Sequence, residues 1–379
     1  MELSSSHSQG ENIKIAFFGR HGSFDHDSIG GTNSLVRRLS IELVRCWHSQ
    51  VDYVLYGQAT KEITHLPSLR SRYYRTLNEA LDVLTEYDHI VTIYLPPKDL
   101  LTYMHFRATH RRKDQFHMLY QIWPEFAVKR ELMFALNRLI PDNGRSFAIS
   151  PRLVHRVKHW DRKAVLLWPP VPQHYFVPLS QKPSSDKIHV TFLGRIDIGK
   201  GVLETIDIFN ALADCSEVEL AFYGIYWEID PIAVQLHHQL SEQKRFPYMP
   251  IKFTNYSDQI DEMVRSVLYD TDIFIQPYRK LSSTIDTPLL ILEAMASLCA
   301  VITKPYGDIP YIYGKSPCLI DSQGLCEQAI KLILSAKEWL PSERERIERQ
   351  NKSLLFDTQS VAERFVGALN TSTETEGSL

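Results

Sequence analysis

The stretch TPLLILEAMASLCAVITKPYG, residues 287–307, predicts a helix that runs into a buried strand around one acidic side chain. Pro288 suits the first helical turn, and Asp286 or Thr287 is available as its cap. Glu293 lies within the apolar run, where an unpaired carboxylate would be costly. It therefore predicts either an ion pair at the helix edge or a carboxylate that accepts hydrogen bonds from ligand hydroxyl groups, such as those of a ribose.

A second motif, IHVTFLGRIDIGKG at residues 188–201, lies upstream. Its alternating, β-branched start predicts a strand that leads into a turn at Gly194 and Arg195. Lys200 stands between two glycines, directly before an amphipathic helix. Two cations and the backbone amides of a helix start suit a dianion such as a pyrophosphate, whereas a solvated loop is the simpler interpretation. The combination of Arg195 and Lys200 with Glu293 favours the binding site.

These motifs resemble the C-terminal half of the large "group 1" family of retaining glycosyltransferases, which have the GT-B fold. The Gly-Arg and Lys-Gly pairs of the upstream motif are similar to the family's donor loop. LEAMA at residues 292–296 matches its Leu-Glu-Ala-Met-Ala helix, and DIFIQP at 272–277 resembles its Asp-Val-Phe-Val-Xaa-Pro strand. The resemblance is specific over residues 188–320 and weaker before them.

The resemblance implies a role for each matching residue. Gly194, Arg195 and Lys200 belong to the loop that binds the donor, and the two cations bind its diphosphate. Glu293 binds the ribose. The cations would stabilise the charge that grows on the leaving diphosphate, which matters most in the transition state.

The chain departs from the family beside the transferred sugar. The family commonly has a further glutamate there, at the position that is Ile285 in this sequence. The nearest acid is Asp286, which either approaches the sugar through a shifted loop or leaves the contact absent. Leu298 and Ala300 stand where Gly and Pro are usual, and Tyr311 replaces a Glu.

The N-terminal half predicts a parallel, doubly wound sheet, because strands alternate with helices. The strands fall at residues 12–19, 51–57, 89–95, 118–123 and 146–150. Gly30 and Gly31 precede an amphipathic helix and resemble the family's glycine loop, whose amides approach the donor's phosphate and sugar; a plain turn is the alternative. The first loop lacks the Gly-x-Gly-x-x-Gly spacing of a dinucleotide site, which argues against an NAD enzyme.

The family often has a histidine at the end of an N-terminal strand, facing the sugar. By register this position falls on Gln121, and His117 is the nearby histidine. An even offset keeps both on one strand face, with His117 deeper. The sequence leaves open which of them replaces the usual histidine.

We expect no metal ion and no cofactor. The loop at residues 21–27 contains two histidines and two aspartates, but no matching ligand set occurs elsewhere. Asp270-Thr-Asp272 looks like the metal motif of another glycosyltransferase fold, yet it precedes a buried strand, where Asp is a turn residue. GT-B enzymes generally need no bound metal.

The expected fold is α/β and GT-B, with two Rossmann-like domains of doubly wound parallel sheets facing a cleft. Residues 1–175 would form the acceptor-side domain and residues 176–355 the nucleotide-sugar domain. In residues 356–379 we expect a last helix that crosses back to the first domain, then a disordered tail. A proline-rich stretch at 168–185 would link the domains.

Composition favours a cytoplasmic protein. Residues 1–180 carry 23 Lys and Arg against 17 Asp and Glu, which gives a charge of +6. Residues 181–379 carry 19 Lys and Arg against 28 Asp and Glu, which gives −9. This asymmetry suggests an anionic partner for the first domain. The five cysteines lack metal-ligand spacing. Residues 97–113 predict a core-packed helix or, alternatively, a shallow contact with an anionic membrane at the inner face of the plasma membrane.

The resemblance implies a retaining, metal-independent glycosyltransferase that moves a hexose-type sugar from a UDP-, GDP- or similar nucleotide sugar to a hydroxyl acceptor. The acceptor would be a saccharide or a lipid-linked saccharide in cell-envelope or exopolysaccharide biosynthesis, and no nucleic acid is expected. Three alternatives remain: a non-catalytic nucleotide-sugar-binding subunit, an epimerase and a phosphorylase.

Overall fold

The computed structural model describes residues 13–93, 95–110, 115–121, 144–159, 163–252, 256–279, 286–321 and 323–370. They form two compact units: unit 1 holds the residues up to Pro170 and those from Thr358, and unit 2 is Val171–Asp357. The boundaries expected at 175/176 and 355/356 therefore shift by a few residues. The cause is that the Val171 N–H donates to the Phe356 carbonyl at 2.9 Å, which joins the two ends of unit 2.

Eight strands of unit 1 form one sheet in the order β3-β4-β2-β1-β5-β6-β7-β8. Their bounds are β1 Lys14–Arg20, β2 Gln50–Tyr56, β3 Lys61–Leu66, β4 Leu69–Tyr74, β5 His89–Thr92, β6 Phe116–Tyr120, β7 Ser146–Ala148 and β8 Val165–Leu166. The pairs are parallel as predicted, except that β3 pairs antiparallel with β4. The sequence does not predict this hairpin, because its strands, KEITHL and LRSRYY, are rich in polar residues.

Within the described residues of unit 1, four helices lie between these strands: α1 Gly31–Trp47, α2 Leu77–Leu84, α3 Pro97–Thr109 and α4 Pro151–Val157. On α1, Leu35, Leu39 and Leu43 repeat every four residues and are fully buried, so this face packs in the core. In α2, Thr76 and Glu79 form a capping box at the N-terminus. Sheet and helices together place the ends of β1 and β5 at the point where the strand order reverses.

Helix α3 was one of two alternatives in the sequence analysis. Leu100, Tyr103 and Met104 are buried, and the Tyr103 hydroxyl is hydrogen-bonded to Thr92. Leu101 is 59% exposed. The apolar side chains of α3 thus mostly fill the core of unit 1. The basic residues 111–113, which follow the helix, lie outside the described residues.

The five strands of unit 2 form a parallel sheet in the order β11-β10-β9-β12-β13. The strands are β9 Ile188–Arg195, β10 Val218–Tyr226, β11 Tyr248–Lys252, β12 Ile273–Gln276 and β13 Ala300–Thr303. The helices are α5 Val202–Leu212, α6 Pro231–Glu242, α7 Asp258–Asp270, α8 Leu289–Ala296, α9 Ile309–Tyr313, α10 Leu325–Leu334 and α11 Ala336–Leu354. The strand order reverses between β9 and β12, and ligands of open parallel sheets bind at the carboxyl ends of such strands.

The proline-rich stretch after Trp168 packs on unit 2 and does not form the separate linker that the sequence predicts. Tyr175 is fully buried, and its hydroxyl donates to the Asp261 carbonyl at 3.1 Å. The Val177 N–H donates to the Ala296 carbonyl at 3.0 Å, at the end of α8. These contacts explain why unit 2 begins earlier than expected.

The last helix, α12 Thr358–Asn370, belongs to unit 1. Phe365 stacks on Phe17 with ring centres 6.3 Å apart and lies 4.8 Å from Phe147. The Arg145 Nε donates to the Ala368 carbonyl at 3.2 Å. The core of unit 1 therefore contains residues from both ends of the described chain. Among the described residues, none of the helices combines the length and apolar character needed to cross a membrane.

Candidate functional site

The donor loop, residues 194–201, leaves the carboxyl end of β9 at the reversal point of unit 2. The Asp197 carboxylate accepts a hydrogen bond from the Gly199 N–H at 2.7 Å. This bond closes a short 3-10 turn, Ile198–Lys200, which carries the second cation of the motif. Asp197 was not singled out in the sequence analysis, although Asp commonly closes such turns.

Gly201 has no possible substitute in this backbone. It adopts a left-handed φ of 79° as the N-cap of α5, and a Cβ atom there would lie 2.2 Å from the Pro277 carbonyl oxygen. The Arg279 N–H donates to the Gly199 carbonyl at 2.8 Å. The donor loop is thus packed against the segment that follows β12.

Gly194, the first residue of the donor loop, allows a side chain to cross between strands. A Cβ atom on it would lie 3.4 Å from Nε2 of Gln276. That amide donates to the Leu193 carbonyl at 2.6 Å, which ties β12 to β9. Gly194 consequently has a structural reason to be small, beside its expected place at the donor.

Lys200 and Arg195 place two positive charges at this edge of the sheet. The Arg195 side chain is 47% exposed and lies 3.8 Å from the Asp197 carboxylate. The Lys200 ammonium lies 5.9 Å from the centre of the Tyr278 ring. The pKa of Lys200 is lowered to about 8: partial burial is the largest cause, Arg195 adds to it, and Asp197 opposes both. Such a lysine gains stabilisation when an anion binds beside it.

Tyr278 connects the donor loop with Glu293. The ring is buried, and burial raises the pKa of its hydroxyl. Tyr306 and the negative charge of Glu293 raise this pKa further, whereas Arg195 lowers it. Tyr278 therefore lies 5.9 Å from the Lys200 ammonium and within electrostatic range of both Arg195 and Glu293. Sequence reasoning missed Tyr278, since a tyrosine after a strand carries no motif.

Glu293 lies on α8 and is 4% exposed. The helix begins at Leu289, and Pro288 is its N-cap, without a side-chain capping bond. The expected cap by Asp286 or Thr287 is therefore wrong, because both residues precede the N-cap. Asp286 is buried at 3% exposure. Position 285, where the family has its further glutamate, lies outside the described residues.

In unit 1, Gly30 and Gly31 form the start of α1. Gly30 is the N-cap with a φ of 152°, which favours glycine, and the helix has no side-chain cap. In the first turn, the Thr32 hydroxyl donates to Oε1 of Gln121. The Gln121 side chain is buried, and its Nε2 has no hydrogen-bond partner within the part of the chain that the structure describes. Gln121 thus lies beside the glycine pair, with a donor available.

His117 lies deeper in the same sheet. Its Nδ1 accepts a hydrogen bond from the Arg145 N–H at 3.0 Å, so its Nε2 carries the proton and donates to His89 at 3.0 Å. Burial, together with His89 and Arg145, keeps the pKa of His117 well below its ordinary value. Of the two alternatives, only Gln121 contacts the first turn of α1.

The acidic motifs have structural partners. Asp272 forms an ion pair with Arg344 and accepts a hydrogen bond from the His189 N–H at 2.9 Å. In the first loop of unit 1, His26 stacks on His65 with ring centres 3.6 Å apart. The described residues contain no group of three or more His, Cys, Asp or Glu side chains that could hold a metal ion.

A cavity of about 470 Å³ in unit 2 is lined by residues that follow the donor loop, β12 and β13, among them Glu204, Arg279 and Lys304. Glu204, in the first turn of α5, accepts hydrogen bonds from Arg279 at 2.5 Å and from Lys304 at 3.1 Å. Tyr278 and Tyr306 line the same cavity. The sequence did not indicate this group, because its charged members are far apart along the chain.

The comparisons with known proteins agree with this geometry. No curated protein sequence matches the chain significantly, whereas residues 187–335 match the family model described as glycosyl transferases group 1. Sucrose-phosphate synthase from Thermosynechococcus elongatus has a TM-score of 0.67 at 18% identity, covering 95% of this chain and 98% of its own. A glycosyltransferase from Rickettsia africae reaches 0.67 at 11% identity, covering 97% and 100%. HepE from Anabaena, in complex with UDP and glucose, reaches 0.66 at 14%, covering 95% and 100%.

These similarities confirm the predicted fold class. At such identities the solved structures establish the fold alone, and the family model adds a similarity that covers residues 187–335 of the second unit. The chain therefore has the α/β GT-B fold, and residues 187–335 are similar to the group 1 glycosyltransferases.

Proposed function

We propose that this protein is a retaining glycosyltransferase that moves a hexose-type sugar from a nucleotide diphosphate sugar to a hydroxyl acceptor. The observation that carries the proposal is the arrangement of Arg195, Lys200 and Glu293 around Tyr278 within the matched segment. The two cations suit a diphosphate, and the buried carboxylate suits the hydroxyl groups of a ribose.

In the proposed reaction, the bond between the anomeric carbon and the diphosphate oxygen breaks, while the acceptor oxygen bonds to the same face of that carbon. The acceptor proton passes to the leaving phosphate, so the reaction needs no carboxylate nucleophile. Arg195 and Lys200 stabilise the growing negative charge, and this interaction is strongest in the transition state. Because these cations supply the charge compensation, the proposed reaction needs no metal ion or other cofactor.

Within unit 1, Gly30 and Gly31 would bring backbone amides to the donor's phosphate and sugar. Gln121 would offer its Nε2 to a sugar hydroxyl, since this buried amide lies beside the same helix start. Asp286, buried before α8, would contact the transferred sugar in place of the family's further glutamate.

The proposed setting is the cytoplasmic stage of cell-envelope or exopolysaccharide biosynthesis, with a saccharide or a lipid-linked saccharide as acceptor. A lipid-linked acceptor would bring the protein to the inner face of the plasma membrane. Helix α3 gives little support to such a contact, because most of its apolar residues are buried.

The first test is a thermal-shift screen with UDP, GDP and ADP. A ligand present at a hundred times its dissociation constant adds about 2.7 kcal/mol to the free energy of unfolding, so the preferred nucleotide should raise the melting temperature. UDP is the first candidate, because the similar Anabaena structure holds UDP and glucose. Stabilisation by none of the three nucleotides would contradict the proposal.

The second test measures turnover. UDP-glucose, with EDTA present, should release UDP only when a saccharide acceptor is added, and proton NMR should show retained anomeric configuration. An epimerase would convert the nucleotide sugar without acceptor, and a phosphorylase would require inorganic phosphate. A non-catalytic subunit would bind the nucleotide and release nothing. This alternative remains because Gln121 and Ile285 stand where the family has His and Glu.

A further inference from the structure

Glu204 joins three segments at the carboxyl edge of the sheet in unit 2. It lies in the first turn of α5, three residues after the donor loop ends. Its Oε1 accepts from Arg279, which follows β12, and from Lys304, which follows β13. Burial opposes ionisation, but these two hydrogen bonds hold the pKa of Glu204 below its ordinary value. The group is therefore a charged one at neutral pH.

Arg279 links Glu204 to the donor loop. Its side chain is held by Glu204, while its backbone N–H donates to the Gly199 carbonyl at 2.8 Å. Gly199 belongs to the 3-10 turn that carries Lys200, and the residue before Arg279 is Tyr278, whose ring faces the Lys200 ammonium. A displacement of Arg279 would therefore move both members of the Lys200–Tyr278 contact.

The cavity beside Glu204 shows why ion pairs are needed there. The Arg279 and Lys304 side chains line an open volume of about 470 Å³, so packing holds them less closely on that side than it holds the buried rings of Tyr278 and Tyr306. The Glu204 and Lys304 side chains are each only 13% exposed, which limits the screening of their attraction by water. The charged group thus adds a restraint to the packing of the loop against Pro277.

We propose that Glu204 is a positioning residue for the diphosphate site: through Arg279 and Lys304 it keeps Lys200 over Tyr278. The proposal rests on the function proposed above, and it places Glu204 outside direct contact with the substrate. Its removal should loosen the donor loop without removing either of the cations that bind the diphosphate.

The main test is the variant Glu204→Gln, with UDP and inorganic pyrophosphate as probes in isothermal titration calorimetry. Both affinities should fall by about tenfold, which lies within the range of interaction energies between residues of one ion-pair network. The factor should be the same for both probes, because the defect lies at the diphosphate that both contain. Hydration of Lys200 in the loosened loop should also move the pH midpoint of binding above its wild-type value, since burial is the largest cause of the lowered pKa. Arg195 and Asp197, which also act on Lys200, remain unchanged in the variant.

Three comparisons make the test specific. Glu327→Gln breaks an exposed pair with Lys331 in the same unit and should change neither affinity nor midpoint. Arg279→Ala keeps the backbone donor to Gly199 and should weaken binding as Glu204→Gln does. The double variant of Glu204 and Arg279 should be no weaker than either single variant, because the two residues act as one unit.

Each outcome decides the proposal. A lower melting temperature with unchanged affinity and unchanged pH midpoint would make Glu204 merely structural and overturn the inference, while leaving the proposed function intact. If the wild-type protein binds neither pyrophosphate nor any of UDP, GDP and ADP, the proposed function fails, and the inference fails with it.

Discussion

The ammonium group of Lys200 lies 5.9 Å from the centre of the Tyr278 ring. The face of an aromatic ring attracts a cation, but removal from water disfavours the charged form. Burial is the largest of the effects on Lys200 and lowers its pKa to about 8. Lys200 is thus a cation that loses its charge at mildly alkaline pH unless an anion binds beside it.

The affinity for a nucleoside diphosphate should depend on pH through Lys200. The bound anion stabilises the protonated lysine. The affinity should therefore be highest below about pH 8 and should fall as the pH rises through that value. Calorimetric titration of UDP at several pH values from 6.5 to 9.5 measures this. Lys200→Arg, which stays charged, should remove the decline, and a wild-type affinity that is constant over this range would contradict the assignment.

Arg195→Ala and Lys200→Ala should each lower turnover by roughly a hundredfold or more, by analogy with the loss of donors to a developing negative charge. Arg195 is the last residue of β9 and Lys200 lies in the 3-10 turn after it, so circular dichroism should show an intact fold. Arg265→Ala, which breaks a helix-surface pair with Glu262, is a matched control and should keep full activity. Near-normal turnover in both loop variants would remove these residues from the catalytic site.

Glu293→Gln should weaken donor binding by about 1.5–3 kcal/mol, the range for hydrogen bonds to charged groups. The amide keeps the shape of the side chain, yet it is a poorer acceptor for ribose hydroxyls than a carboxylate. Inorganic pyrophosphate lacks the ribose, so its affinity should change much less than that of UDP. Normal donor binding with an early melting transition would instead identify Glu293 as a structural ion-pair residue.

Asp286→Asn should reduce sugar transfer while leaving the affinity for UDP largely unchanged. Asp286 is buried before α8, and Pro288 is the N-cap of that helix, so the substitution removes no helix cap. Transfer rate and UDP affinity, measured on one preparation, separate the two contributions. If transfer continues at the wild-type rate, this chain has dispensed with the acidic contact to the sugar.

The strands and helices around the two motifs of unit 2 could be predicted because their signals are local. Alternation at 188–193 and the apolar run after Pro288 each determine one element without reference to the rest of the chain. The Gly-Arg and Lys-Gly pairs likewise lie within one loop. The start of α8 was less certain, since Asp, Thr and Pro in sequence all suit a helix N-terminus.

The charged group around Glu204 could not be predicted in the same way. Arg279 and Lys304 lie 75 and 100 residues from Glu204 along the chain, and only the parallel sheet brings them together. Gln121 and His117 pose a similar problem, because their even offset in sequence places both on one expected strand face. Their burial and hydrogen-bond partners distinguish them, and these depend on tertiary structure.

The position of α12 has a consequence for biosynthesis. Phe365 packs on Phe17 and Phe147, so unit 1 is interrupted in sequence by the whole of unit 2. A ribosome that starts at the N-terminus must complete Val171–Asp357 before Phe365 emerges, although domains generally fold as units during synthesis. Until then, the nascent first unit leaves two aromatic rings uncovered. The N-terminal unit is therefore the last of the two to complete its core.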